Sequence, residues 1–295
     1  MSIAVIGAGK WGQALHFAIS QTVTCKITSR QTKAIEHFVS LEEALHCEYL
    51  VFALPAQVVR SWLKEHFVFQ NQKILVAAKG IECGSGAFLN EVFATFVPEN
   101  NLAFLSGPSF ASEVMQGLPT AVVINSTNET LSKEFSTFFP SFIKTYTSKD
   151  VIGAEVCGAY KNVLAIASGI CDGLKLGNNA RASLIARGLV EMHRFGKYFG
   201  AHDETFLGLS GAGDLFLTAS STLSRNYRVG LFLAEGKKLD AILEALGEVA
   251  EGVFTSEAIH ELSVKHQIYT PIAHEIALIL QGKAPKQSVK DLLAD

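Results

Sequence analysis

Seven short runs of mostly aliphatic and aromatic residues punctuate the first half of the chain, at residues 3–6, 23–28, 49–54, 73–77, 102–105, 121–124 and 142–146. Between several of them, apolar residues recur at helical spacing, near 12–20, 56–65, 87–96 and 129–139. Unbroken apolar strands alternating with helices predict an α/β fold, a doubly wound, mostly parallel sheet covered on both faces. After the second run, "SRQTKAIEHFVSLEEALH" leaves room for one short helix before the third. Beyond Asp150 the strand-like runs stop and helical patterns continue to the C-terminus. Asp150 is a suitable N-cap for the first of these helices. The pattern divides the chain into an α/β part, 1–149, and an all-helical part, 150–295, with no Gly/Ser/Pro-rich linker between them.

A chain of 295 residues is long enough for two such cores. A net charge of -3 and a pI near 6.3 give no electrostatic footprint for nucleic acid or an anionic membrane, so neither is an expected partner. Any anion must therefore be met by a local cluster of cations. The five cysteines are scattered, with no C-x-x-C pair and no histidine at metal spacing, so no metal and no disulfide framework is expected. The N-terminal residues enter a strand-like run at once and no segment has the charge-free length of a membrane span. These features predict a soluble, cytoplasmic protein.

The first strand runs into "GAGKWGQAL", which sets Gly7, Gly9 and Gly12 in G-x-G-x-x-G spacing at the start of a helix. Such a turn brings backbone against a pyrophosphate and turns the helix N-terminus toward it, so a nicotinamide dinucleotide is the expected cofactor. An acidic residue at the end of the second strand would select NAD. Ser29 and Arg30 stand there, with Lys26 and Lys33 nearby. A positive group suits a 2′-phosphate, so NADP(H) is favoured with NAD(H) allowed. Stacking of Arg30 on the adenine would serve either cofactor.

In "GAEVCGAYKNVLAIASGI", Lys161 and Asn162 interrupt a small, apolar segment. At helical spacing Lys161 shares a face with Ala165, Ser168 and Gly169, whose small side chains permit close approach by another body. The lysine head then meets a ligand or another part of the protein, or else its stem lies along the helix and the ammonium reaches solvent. Four other segments combine glycine, a cation and small polar residues. "VAAKGIE" puts Lys79 at the carboxyl end of a strand, where ligands gather in open α/β sheets. "LSGPSFASEV" offers Gly107 and Ser109 in a turn at a helix start. "GLSGAGDLFLTAS" puts Asp214 and Thr218 four residues apart on one helical face, and "SRNYR" supplies Ser224, Arg225 and Asn226.

With "AAKGIE", "SGPSFASEV", "CGAYKNVLAIASGICDGLKLGNNARASLIARGLVEM", "GLSGAGDLFLT", "SRNYRVG" and "VAEGVFTS" in order from Gly7 to Ser256, the sequence resembles the bacterial NAD(P)-dependent glycerol-3-phosphate dehydrogenases. The resemblance implies an N-terminal Rossmann domain, a helical C-terminal domain and an active site between them. It implies that Lys161 is the catalytic lysine, with Asn162 in the substrate site and Lys79 touching substrate and cofactor. Gly107 and Ser109 match substrate positions, and Asp214 and Thr218 match residues that position the reacting end, with Ser224 beside them. Arg225 and Asn226 match the phosphate clamp, Arg225 also reaching the cofactor. Trp11, Arg30, Ala111, Val249 and Glu251 match further cofactor positions. Lys10, in the pyrophosphate turn, stands where many members carry a small hydroxyl residue, and the region after Arg30 is shorter than usual.

The implied reaction is reversible hydride transfer between NAD(P)H and dihydroxyacetone phosphate, giving sn-glycerol 3-phosphate for phospholipid synthesis. Burial and the cations Lys79 and Arg225 are expected to lower the pKa of Lys161, and Asp214 to raise it. Two rivals share parts of the pattern: a ketopantoate or hydroxyacid-type reductase, whose substrate carries a carboxylate, and a non-catalytic NADP(H) sensor. The oligomeric state is left open, a homodimer among the states allowed.

Overall fold

The computed structural model describes residues 2–247 and 250–294. The chain forms two compact units: Met1–Ala78 with Leu89–Ala154, and Lys79–Phe88 with Glu155–Asp295.

The first unit holds seven strands, β1 (Ile3–Ile6), β2 (Cys25–Thr28), β3 (Tyr49–Phe52), β4 (Lys73–Val76), β5 (Leu102–Ser106), β6 (Thr120–Asn125) and β7 (Ile143–Ser148). All seven predicted runs are strands, with ends shifted by up to two residues. They form one sheet in the order β2-β1-β3-β4-β5-β6-β7. Every pairing is parallel except β5 with β6, which is antiparallel. Reversal after β1 puts β2 and β3 on opposite sides of it, which opens a crevice at the carboxyl ends of the strands.

Helices α1 (Lys10–Ser20), α2 (Leu41–Leu45), α3 (Val59–His66), α4 (Leu89–Ala94), α5 (Ala111–Val114) and α6 (Glu129–Ser136) lie between the strands. The single short helix expected after β2 is α2, whose N-cap Ser40 accepts the Glu43 N–H. Leu15, Ala18 and Ile19 on the inner face of α1 pack into one cluster with Val5, Val51, Leu75 and Ala103 from the central strands. Apart from Lys73 at the start of β4, these strands are buried along their length, which explains their apolar character.

The second unit is helical: α7 (Val151–Gly173), α8 (Asn178–Tyr198), α9 (Asp203–Leu207), α10 (Asp214–Ala219), α11 (Arg225–Ala234), α12 (Leu239–Leu246), α13 (Glu251–His266), α14 (Pro271–Leu280) and α15 (Pro285–Ala294). Asp150 caps α7 as expected, its Oδ1 accepting the Gly153 N–H at 3.0 Å. Helix α7 is the axis of this unit, buried from Glu155 to Cys171. Its small-residue face receives α11 at backbone contact: a Cβ on Gly169 would meet the Tyr227 carbonyl oxygen, and one on Gly230 would meet that of Ile166. Ser168 Oγ donates to the Ala219 carbonyl at 2.6 Å, which fixes α10 against the same helix. The body that the small residues admit is thus the pair α10 and α11.

Candidate active site

The Gly-rich turn meets the requirements of a dinucleotide cradle. Gly7 has φ of 110°, and an added Cβ would stand 2.7 Å from the Ala53 carbonyl oxygen. A Cβ on Gly12 would collide with the carbonyl of Gly7, so the helix can lie this close only with glycine there. Gly9 differs: its added Cβ meets nothing within 4 Å, so this side of the turn faces open space at the start of α1. Gln13 Nε2 and Lys33 Nζ both donate to the Ala8 carbonyl, at 2.9 and 2.6 Å, and brace the turn. Trp11 is tied to the end of β4 by its Nε1–H bond to the Ala77 carbonyl, at 3.1 Å. Lys10 opens α1 as an exposed residue.

Of the cations after β2, Lys26 is engaged by Glu43 at 2.7 Å, whereas Arg30 is exposed. Gly107 follows β5 with φ of 103°, Ser109 Oγ donates to its carbonyl at 3.1 Å, and Ala111 begins α5. All these residues belong to the sheet unit.

A second group assembles in the helical unit, and Lys79 belongs to it. The segment 79–88 closes on itself through an Ile81–Phe88 bridge, and the Cys83 thiol donates to the Phe254 carbonyl at 3.1 Å. The Lys79 stem lies over Gly158 on α7, at a distance where an added Cβ would make ordinary contact, 3.5 Å from it. The strand-end placement of Lys79 was legible in sequence, but its packing with the helical unit was not.

Lys161 Nζ donates to Asp214 Oδ1 at 2.5 Å and to Thr218 Oγ1 at 3.2 Å, and Lys79 Nζ donates to Asp214 Oδ2 at 2.8 Å. Thr218 Oγ1 also donates to Asp214 Oδ1, at 3.3 Å. The i, i+4 pairing on α10 therefore delivers both oxygen-bearing side chains to one ammonium. Lys161 is 7% exposed and Asp214 1%, which rules out the solvent-reaching alternative for this lysine.

Burial pushes the Lys161 pKa down to about 8, Asp214 opposing the shift and Lys79 adding to it. For Asp214, burial pushes upward, but Lys161 and Lys79 together hold its carboxyl below the usual range. Two ammonium groups sharing one carboxylate leave the cluster with a net positive charge when both are protonated, the local cation cluster that an anionic ligand requires.

Beside this cluster runs a chain of amides. Asn162 Nδ2 donates to the Gly158 carbonyl at 3.2 Å, Asn226 Nδ2 donates to Asn162 Oδ1 at 2.9 Å, and the Gly252 N–H donates to Asn226 Oδ1 at 3.0 Å. The amide orientation of Asn226 is thereby fixed at both ends. Ser224 caps α11, its buried Oγ accepting the Tyr227 N–H at 3.3 Å, and Arg225 is the first residue of that helix. Glu251 opens α13, and Val249 lies outside the described residues.

Sequence reading missed Gly252, whose role depends on close approach across sequence-distant helices. It also missed a π-helical turn at Leu209–Gly213 that leads into Asp214, for which the glycines of "GLSGAG" were the available signal. Among the described residues no helix is long and apolar enough to cross a membrane.

The C-terminal family model of the NAD-dependent glycerol-3-phosphate dehydrogenases matches residues 150–291, and the N-terminal model matches residues 26–132. A curated relative from Campylobacter jejuni serotype O:6, named glycerol-3-phosphate dehydrogenase [NAD(P)+], is 64% identical over 99% of this chain and 99% of its own. One of the same name from Sulfurimonas denitrificans is 62% identical with the same coverage. The crystal structure of glycerol-3-phosphate dehydrogenase from Coxiella burnetii superposes with a TM-score of 0.92 at 34% identity, covering 100% of this chain and 99% of that one.

Proposed function

Since this chain belongs to the NAD-dependent glycerol-3-phosphate dehydrogenase family, we propose that it interconverts dihydroxyacetone phosphate and sn-glycerol 3-phosphate with a nicotinamide dinucleotide, in the direction that supplies phospholipid synthesis. The observation that carries this reading is the buried Lys161 ammonium, held by Asp214 and Thr218 beside a second lysine.

An ammonium has three N–H donors. Two of those of Lys161 are directed to Asp214 and Thr218, and we assign the third to the carbonyl oxygen of the ketone. Negative charge grows on that oxygen as the carbonyl carbon is reduced, and a fixed cation in a dry site stabilises it. The same N–H then gives its proton to complete the hydroxyl, leaving a neutral amine. In the reverse direction the amine takes the hydroxyl proton back. A pKa near 8 makes both forms accessible close to neutral pH, which an ordinary lysine would not allow.

Lys79 supplies a second positive charge to the substrate. Arg225 and Asn226 grip its phosphate, with Asn162 and Ser224 setting their positions. A guanidinium gives the planar, multiple donation that phosphate accepts, and a lysine does not reproduce it.

When bound, the nicotinamide cofactor supplies or accepts the hydride. Gly7, Gly9, Lys10 and Gly12 at the N-terminus of α1 would hold its pyrophosphate, with Trp11, Ala111, Lys79, Arg225 and Glu251 as further contacts. The exposed Arg30, in place of an acidic residue, favours NADPH over NADH. Gly107 and Ser109 are assigned to the substrate. None of the five cysteines forms a disulfide, which suits the reducing cytoplasm.

The test is oxidation of NADPH and NADH, side by side, with dihydroxyacetone phosphate, unphosphorylated dihydroxyacetone and ketopantoate. Rapid turnover only with the phosphorylated ketone is expected. Preferential turnover of ketopantoate would replace this reading, and cofactor binding without turnover of any of them would make the chain a sensor. Arg30→Ala should raise KM for NADPH and leave that for NADH nearly unchanged.

A further inference from the structure

Two histidines that sequence spacing keeps apart are brought together in the helical unit. His260 on α13 and His274 on α14 are 14 residues apart, yet their Nδ1 atoms lie 3.3 Å from one another. The chain turns between the two helices through Gln267, which takes a left-handed conformation. The two rings stand with centroids 4.8 Å apart at the edge of a cavity of about 420 Å³, lined also by Ser263, Gln267, Thr270 and Glu275.

Helix α14 is anchored independently of the pair. Glu191 on α8 accepts the N–H groups of Ile272 and Ala273, which fixes the first turn of α14 immediately before His274. The Ser263 hydroxyl, buried in the lining of the same cavity, has no hydrogen-bond partner in the protein.

We propose that His260 and His274 form a two-histidine site for a borderline divalent transition cation, with Zn²⁺ as the reference ion. Two imidazole nitrogens bound to one tetrahedral zinc stand about 3.3–3.4 Å apart, given Zn–N distances of about 2.0–2.1 Å. The observed separation already equals that bite. The pair is made of neutral-imidazole ligands of the type that zinc, copper and nickel share.

Among the described residues no group of three or more His, Cys, Asp or Glu side chains could hold a metal, so water completes the coordination shell. Glu275, a carboxylate of the lining, is engaged by Lys283 at 2.6 Å. The cation would clamp α13 to α14. In the neutral pair one ring carries its proton on Nδ1, facing the other ring. Cation binding would move that proton to Nε2 of the same ring through solvent, so that both Nδ1 lone pairs face the cation and no net proton is released.

The test is competition for Zn²⁺ between the full-length protein and a chromophoric zinc indicator, in a non-chelating buffer. Wild type should withdraw one Zn²⁺, and His260→Ala or His274→Ala should each weaken that binding by about tenfold or more. Cys83→Ser, which removes the partly exposed thiol, should leave it unchanged. Equal affinity in wild type and both histidine variants would overturn the proposal, as would loss of binding in Cys83→Ser.

Melting in the presence of a chelator guards against misfolding. Both histidine variants should melt like wild type there, and only wild type and Cys83→Ser should gain stability on adding Zn²⁺. If a histidine-to-alanine variant melts early in chelator, the corresponding glutamine variant replaces it under the same criteria. Binding of Zn²⁺ that leaves the wild-type melting temperature unchanged would also overturn the clamp.

Discussion

Lys161 Nζ lies 2.5 Å from Asp214 Oδ1, a buried ion pair in which the carboxylate's other oxygen is taken by Lys79. The pair sets the proton affinity of the lysine, since burial lowers it and Asp214 raises it. With a pKa near 8, reduction of the ketone, which needs the ammonium, should lose rate as pH rises through about 8. Oxidation of the alcohol, which needs the amine, should gain rate over the same interval. Asp214→Asn removes the opposing contribution, so both limbs should move to lower pH while kcat/KM falls by about 10²–10⁴-fold. Rate profiles in both directions check this, and an unmoved limb would separate Lys161 from the titration.

Gly252 positions Asn226. Its N–H holds Asn226 Oδ1, and a Cβ at this position would stand 2.8 Å from both Asn226 Oδ1 and the Asn162 carbonyl oxygen. Gly252→Ala should therefore displace the clamp amide. KM for dihydroxyacetone phosphate should rise roughly tenfold or more with a smaller change in kcat, the pattern of lost uniform binding. Turnover of unphosphorylated dihydroxyacetone should change little. A similar loss with both substrates would mark a general structural defect.

What could be read from sequence, and what could not, follows the range of the interactions. The strands were legible because burial on both faces makes them continuously apolar, and α7 began at the expected Asp150 cap because capping is local. Asp214 and Thr218 were legible as a pair because helical periodicity alone puts them on one face. The surroundings of Lys161 could not be read, because they come from α10 packing through Ser168 and from the segment 79–88 joining the helical unit. The Gly252–Asn226–Asn162 chain joins residues 26 and 64 positions apart, and no local pattern encodes it.

The glycines of the first turn should separate folding from binding. Gly12→Ala puts a Cβ into the Gly7 carbonyl and should prevent α1 from docking on β1, with loss of soluble protein or a large drop in Tm. Gly9 has φ of -71° and open space where its Cβ would go, so alanine fits the protein itself. Gly9→Ala should melt like wild type and bind NADPH and NADH roughly tenfold or more weakly, because the methyl group occupies the space a pyrophosphate would approach. Melting curves and cofactor titrations read the two effects separately. Unchanged cofactor affinity in Gly9→Ala would move the pyrophosphate away from this turn.

Glu191 makes a stability prediction independent of the reaction. Its carboxyl accepts the Tyr160 hydroxyl and the N–H groups of Ile272 and Ala273, joining α7, α8 and the first turn of α14. Glu191→Gln keeps the shape but loses one acceptor oxygen, leaving a buried donor unsatisfied at a cost of about 1–3 kcal/mol. That should lower Tm by about 2–4 °C per kcal/mol. Burial raises the pKa of Glu191 even though the hydrogen bonds it accepts oppose the shift. A folded carboxyl with a raised pKa binds its proton more tightly than the unfolded chain does, so wild-type stability falls as pH rises from the ordinary carboxylate pKa through the folded value. Glutamine does not titrate. The stability gap between wild type and Glu191→Gln should therefore narrow as pH rises across that window and stay constant above it, which denaturant melts at a series of pH values would measure. A gap that widened instead would mean that the carboxylate is stabilised in the folded state and that the three donors outweigh its burial.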